Sequence, residues 1–167
     1  MKQSNSNVYQ LFIGFTNKGL YYVKSDRREF NEYRFYDGEW IENWPEDISF
    51  IFDGEPEGDF LMGGLHWRLV SERVRQVFIQ NKIPGVQFLP VKVIHNQTGK
   101  ELGPYYVLNI LQSAVGQNRT SIQNLDFFRR ITDVFISERL KRQLEQEHAS
   151  SGASFQRVPL LIFGIKE

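Results

Sequence analysis

The triplet Ser-Glu-Arg occurs twice, at Ser71-Glu72-Arg73 and at Ser137-Glu138-Arg139, each time directly after two apolar residues. A serine becomes a nucleophile when a base takes its proton and nearby donors stabilise an oxyanion. Sequences that achieve this carry patterns such as Gly-x-Ser-x-Gly or Ser-x-x-Lys. Neither is present: Ser71 precedes Glu-Arg-Val, Ser137 precedes Glu-Arg-Leu, and no glycine flanks either one. A helix N-cap accounts for both serines, because the hydroxyl accepts a hydrogen bond from an otherwise unpaired amide of the first turn. Glu72 and Glu138 then sit where the helix dipole favours an acid. Arg73 and Arg139 are expected on the solvated face of their helices.

Other constellations fail on inspection. Asp53, Glu55, Glu57 and Asp59 have the spacing of a calcium loop, with Gly58 sixth, but the third and fifth positions are glutamate. A proline stands fourth, and Gly64 occupies the twelfth place, where a bidentate glutamate is required. His66, His95 and His148 are scattered, with no His-Glu-x-x-His or His-x₃-His pair, and there is no cysteine. No glycine-rich phosphate loop occurs. Arg129-Arg130 and Arg139, Lys141 and Arg142 are interleaved with Glu138, Glu145 and Glu147, as on a solvated helix, so nucleic acid is not the expected partner. No catalytic residue, metal ligand or cofactor is assigned.

Charge is distributed more informatively than its zero net value suggests. Between Arg34 and Arg68 there is no lysine or arginine, and nine acids fall in that gap: Asp37, Glu39, Glu42, Glu46, Asp47, Asp53, Glu55, Glu57 and Asp59. Such a segment reads either as a solvated wall or as a recognition surface for a basic protein, since complementary potentials speed association and exclude wrong partners. These nine residues are the candidate partner-binding set. Trp40 and Trp44, within the same segment, are expected in the core.

The elements that would position these residues follow from pattern. A chain of 167 residues with 41% hydrophobic content is the size of one domain with a real core. Its N-terminus has only a five-residue apolar run, Leu11 to Phe15, too short for a secretory signal or a membrane span, so a soluble cytoplasmic protein is expected. Residues 1–64 comprise an opening hairpin, "VYQLFIGF" with "GLYYVKS", and the acidic aromatic segment. Residues 65–111 form a strand, a helix begun by Ser71 with the stripe Val74, Val77 and Phe78, the strand "VQFLPVKVI", and a further strand "PYYVLNIL". Residues 131–167 repeat the grammar: "TDVFI", a helix begun by Ser137 with Leu140 and Leu144, a break at "SSGA", and a closing strand "FQRVPLLIFGI". Val70 matches Ile136, Val74 matches Leu140, Arg75 matches Lys141 and Phe78 matches Leu144. The expected class is α+β: a mixed, mainly antiparallel sheet with short capping helices and a duplicated strand–helix–strand unit.

The order of "YDGEWIENWPEDISF", "EGDFLMGG", "LVSERVRQVFIQNKIPGVQFLPVKV", "YYVLNIL" and "VFISERLKRQL" resembles immunity-protein family eleven of bacterial polymorphic toxin systems, over roughly residues 36–158. That resemblance implies a non-enzymatic cytoplasmic protein that binds and neutralises a cognate toxin, possesses no catalytic residues and has an α+β fold. Two other readings compete with it. One is a homo-oligomeric module pairing through an exposed sheet edge such as "VPLLIF"; the other is a hydrolase whose site is assembled from scattered Asp, Glu and His residues.

Overall fold

Strands with apolar residues on both faces need cover on both sides, and that requirement organises the molecule. The computed structural model describes residues 7–14, 20–23, 33–53, 58–63 and 67–163. In chain order the strands are β1 (Val8–Ile13), β2 (Leu20–Val23), β3 (Ser49–Phe52), β4 (Phe60–Met62), β5 (Arg68–Ser71), β6 (Val86–His95), β7 (Glu101–Ile110), β8 (Phe127–Arg130), β9 (Asp133–Ser137) and β10 (Ala153–Val158). The helices are α1 (Tyr33–Asp37), α2 (Glu72–Gln80), α3 (Arg119–Gln123) and α4 (Glu138–Gln146), with a 3₁₀ turn at Leu160–Phe163. They build a six-stranded sheet in the order β2-β3-β6-β7-β5-β4 and a four-stranded sheet in the order β10-β1-β9-β8. Among the described strands the pairings are antiparallel except β3 with β6, which confirms the α+β class and its mixed, mainly antiparallel sheet.

Side chains alternate between faces along each strand. Phe60, Val70, Leu108, Phe127, Val134 and Ile136 point to a central core, where they meet Val74, Val77 and Phe78 of α2 and Leu140 and Leu144 of α4. Their neighbours Leu61, Leu69 and Val107 face outward into a second cluster with Phe35, Ile41, Ile48 and Trp67. Phe128 and Phe135 likewise face a third, where Ile122, Leu160, Ile162 and Phe163 cover the smaller sheet. The chain between α1 and β3 therefore lies over the outer face of the larger sheet.

The duplication runs deeper than the expected strand–helix–strand unit. β4 pairs with β5 so that Phe60 opposes Val70, and β8 pairs with β9 so that Phe127 opposes Ile136. Each hairpin leads into its Ser-Glu-Arg helix and then into β6 or β10. In the first unit β7 is inserted between β6 and β5; in the second, β1 is inserted between β10 and β9. The inserted strands correspond residue by residue. Tyr106 opposes Val70 as Tyr9 opposes Ile136, and Leu108 opposes Phe88 as Leu11 opposes Phe155. The helix cations follow suit: Arg75 lies over the Tyr106 ring at 5.1 Å and Lys141 over the Tyr9 ring at 5.3 Å. The second unit is thus completed by a strand from the other end of the chain.

Several expectations need correction. β1 and β2 do not form a hairpin, because β1 is held between β9 and β10 while β2 pairs with β3 in the other sheet. The run "VPLLIF" is not a strand beyond Val158: Pro159 has no amide hydrogen to continue the ladder, and Leu160–Phe163 turns over the third cluster. β4, β8 and α3 also arise where no element was expected.

Candidate functional site

Both Ser-Glu-Arg triplets are helix starts with an additional partner. Ser71 caps α2, accepting from the Val74 amide at 3.4 Å, and Ser137 caps α4, accepting from Leu140 at 3.1 Å. Each hydroxyl simultaneously donates to an aspartate at the head of its own hairpin: Ser71 to Asp59 at 2.6 Å and Ser137 to Asp126 at 2.7 Å. The backbone repeats this link, with the Ser71 amide on the Asp59 carbonyl and the Ser137 amide on the Asp126 carbonyl. The arginines, expected to be solvated, also contribute. Arg139 binds Asp126 through Nε at 3.1 Å and through Nη2, and the aspartate holds the guanidinium above its ordinary pKa. Arg73 reaches the His148 carbonyl at 2.9 Å and approaches Asp59 at 3.9 Å. Their long side chains reach back along the helix start, where a carboxylate waits.

A polar cleft of about 430 Å³ opens beside the first of these joints, between Asp59, Ser71, Arg73, Gly103, Tyr105 and Ser151. Its chemistry is already committed. The Asp59 carboxylate accepts from the hydroxyls of Ser71 and Ser151, both at 2.6 Å, and the residue is 4% exposed. The Ser71 hydroxyl donates to Asp59 and accepts from the Val74 amide, the arrangement of a helix cap tied to its hairpin. Tyr105 donates to the Gly58 carbonyl at 3.2 Å, and burial with the nearby Asp59 charge raises its pKa. Of the histidines, His95 is buried with Nδ1 against Thr98, His148 is exposed, and His66 lies outside the described residues. Among the described residues no group of three His, Asp or Glu side chains is placed to hold a metal ion.

The nine acids do not form one surface. Asp37, Glu39, Glu42, Glu46 and Asp47 are exposed on the chain that covers the larger sheet. Asp53, at the end of β3, is half-buried and accepts from Asn96 at 2.5 Å. Asp59 is turned inward, as described, and Glu55 and Glu57 lie outside the described residues. Arg34 pairs with Glu39 at 3.0 Å, leaving the outer chain acidic overall.

The tryptophans divide. Trp67 is buried, its ring 5.2 Å from Phe50 and 5.4 Å from Phe35. Trp44 is half-buried against Phe35 and Trp67 and donates to the Pro90 carbonyl at 2.7 Å. Trp40 is not in the core: it is 59% exposed. The residue that sequence reasoning missed most plainly is Asp126. Its signal was available in the parallel between Asp59-Phe60-Leu61 and Asp126-Phe127-Phe128, each leading an apolar hairpin into Ser-Glu-Arg.

Among the described residues no helix is long and apolar enough to cross a membrane. No curated protein matches the chain. The family model that does match is described as Immunity protein family (Imm11) and spans residues 13–116, including the acidic covering chain and the first Asp59–Ser71 joint. With more than half of its 167 residues matched, the chain belongs to the Imm11 immunity protein family.

Proposed function

We propose that the chain is a non-enzymatic cytoplasmic antidote that binds and neutralises a cognate toxin protein, and that the toxin docks on the acidic chain covering the larger sheet. Family membership over residues 13–116 is the observation that carries this reading, because the matched span contains the acidic segment. Exposure of Asp37, Glu39, Glu42, Glu46 and Asp47 supports a basic docking partner. Membership of an immunity protein family supports a binding role over a catalytic one.

The test is co-expression with the toxin encoded beside this gene, followed by charge reversal. Wild-type protein should restore growth and form a complex whose association slows as salt rises, since exposed charges are screened within about 10 Å at 0.1 M. Glu42→Lys with Glu46→Lys and Asp47→Lys should slow association at least tenfold at low salt while leaving the thermal transition in place. Growth arrest that wild-type protein does not relieve would refute the antidote reading. Rescue and binding that ignore both salt and charge reversal would move the interface elsewhere.

A further inference from the structure

We infer that Trp40 is the anchor of this docking face: an indole held ready to enter an apolar pocket rimmed by lysine or arginine on a basic protein. The inference rests on the toxin-binding reading and adds the residue on which affinity should concentrate. Trp40 is 59% exposed, whereas Phe35, Phe50, Phe52 and Trp67 are buried and Trp44 packs against them. An exposed tryptophan on a mobile loop would mean little. Here the backbone on both sides of it is fixed by buried side chains. Asn109 Nδ2 donates to the Glu39 carbonyl at 2.7 Å, while Gln87 accepts from the Ile41 amide at 3.1 Å and donates to the Ile41 carbonyl at 2.7 Å.

Gln87 and Asn109 are 9% and 0% exposed, oppose each other across β6 and β7, and are joined at 3.0 Å. Two amides on an otherwise apolar sheet face carry a desolvation cost that only such hydrogen bonds offset. Their effect is to seat Ile41 in the core at 2% exposure and to turn its neighbour Trp40 outward. That is the preorganisation that lets an aromatic side chain dominate an interface, because little conformational freedom remains to be lost on binding.

The surroundings select the partner's chemistry. Asp37, Glu39 and Glu42 are exposed within three residues of Trp40; Arg34 pairs with Glu39 and the Arg129 charge lies near Asp37, so Glu42, with Glu46 and Asp47 beyond it, leaves the face negative overall. Tyr33 and Tyr36, on α1, are also 67% and 38% exposed. An acidic rim around an apolar anchor fits a basic face with a pocket.

Two measurements test this. On the free protein, the caesium-to-iodide ratio of quenching constants for the fluorescence lost in Trp40→Phe should be at least twice that of N-acetyltryptophanamide, because the acidic rim attracts one ion and repels the other. A ratio equal to that of N-acetyltryptophanamide, or below it, would overturn the acid-rimmed anchor. In titrations with the purified toxin domain encoded beside this gene, Trp40→Ala should weaken binding at least 30-fold and Trp40→Phe less. Ile79→Ala, an exposed apolar residue on α2, should change it less than threefold. A folded Trp40→Ala protein that binds as tightly as wild type would overturn this inference and leave the antidote reading standing. A wild-type protein that does not bind the toxin would remove both. A concentration-dependent dimer of the free chain that Trp40→Ala dissolves would assign the face to a second copy instead, and would likewise overturn it.

Discussion

Replacing Asp59 with alanine separates scaffold from interface within the acidic segment. The carboxylate accepts from the Ser71 and Ser151 hydroxyls at 2.6 Å each and lies 3.9 Å from Arg73. Hydrogen bonds to a charged group contribute about 1.5–3 kcal/mol when both partners are withdrawn from water. Ser151 is exposed and can rehydrate, so the Ser71 bond should account for about 2 kcal/mol and the Ser151 bond for about 1 kcal/mol. The Arg73 side chain is 60% exposed, and its contact adds little. A loss of about 3 kcal/mol in a chain of this size lowers the melting temperature by about 6–12 °C. Urea unfolding followed by circular dichroism measures it, and a double-mutant cycle with Ser71→Ala should return about 1.5 kcal/mol of coupling. Asp59→Asn, which retains one acceptor oxygen, should lose about half as much. Stability within about 0.5 kcal/mol of wild type, or a coupling of zero, would refute the view that this aspartate is a joint.

Ser137→Ala should cost about 2 kcal/mol, more than an exposed cap, because Ser137 is fully buried and its loss strips a partner from Asp126; a loss under about 0.5 kcal/mol contradicts this. Leu140→Ala, at the meeting of α4 with the central core, should cost about 2–5 kcal/mol by chemical denaturation, and a smaller loss would mean that the core relaxes into the space. Gly152→Ala should destabilise by more than about 2 kcal/mol, since φ is +81° and a Cβ would stand 2.3 Å from the Phe60 carbonyl oxygen; an unchanged melting curve would place these segments further apart. The Tyr106 hydroxyl, with Gln76 and Arg75, holds the Glu72 carboxyl below its ordinary pKa, and Asn7 with Arg142 does the same for Glu138. As pH falls the unfolded chain therefore takes up these protons first. The stability they contribute is complete above the ordinary glutamate pKa of 4.5 and is lost as pH drops through the lower folded values. A Glu72→Gln, Glu138→Gln double variant should show a shallower fall of melting temperature between about pH 5 and 3, and a curve parallel to wild type would refute the assignment.

Local rules carried much of the fold. Ser71 and Ser137 were legible as caps because an N-cap is decided within four residues, and the stripes on α2 and α4 were legible because their spacing is local. The sheet order was not. Nothing within "VYQLF" says that it will lie between β9 and β10, since its apolar alternation would serve equally well in a hairpin with "LYYV". β4 was hidden because three residues between glycines, Phe60–Met62, are too few for a period to register. The acidic surface was half legible. Charge marks a segment, but only tertiary packing decides that Asp59 turns inward to two serines while Asp37 and Glu42 stay in water. Trp40 was misassigned for the same reason: its burial depends on Gln87 and Asn109, which are distant in sequence.

The placement of β1 also has a consequence for the order of events during synthesis. Of the described strands it is made first, yet its two neighbours, β9 and β10, are the last two to be made. The larger sheet has its strands from β3 to β7 available early, so it can form while β1 is still waiting for a place. Until Val158 is clear of the exit tunnel, the inserted strand has no slot and the second unit no centre. A chain terminated before β10 would thus leave one edge of β1 unpaired and the four-stranded sheet incomplete.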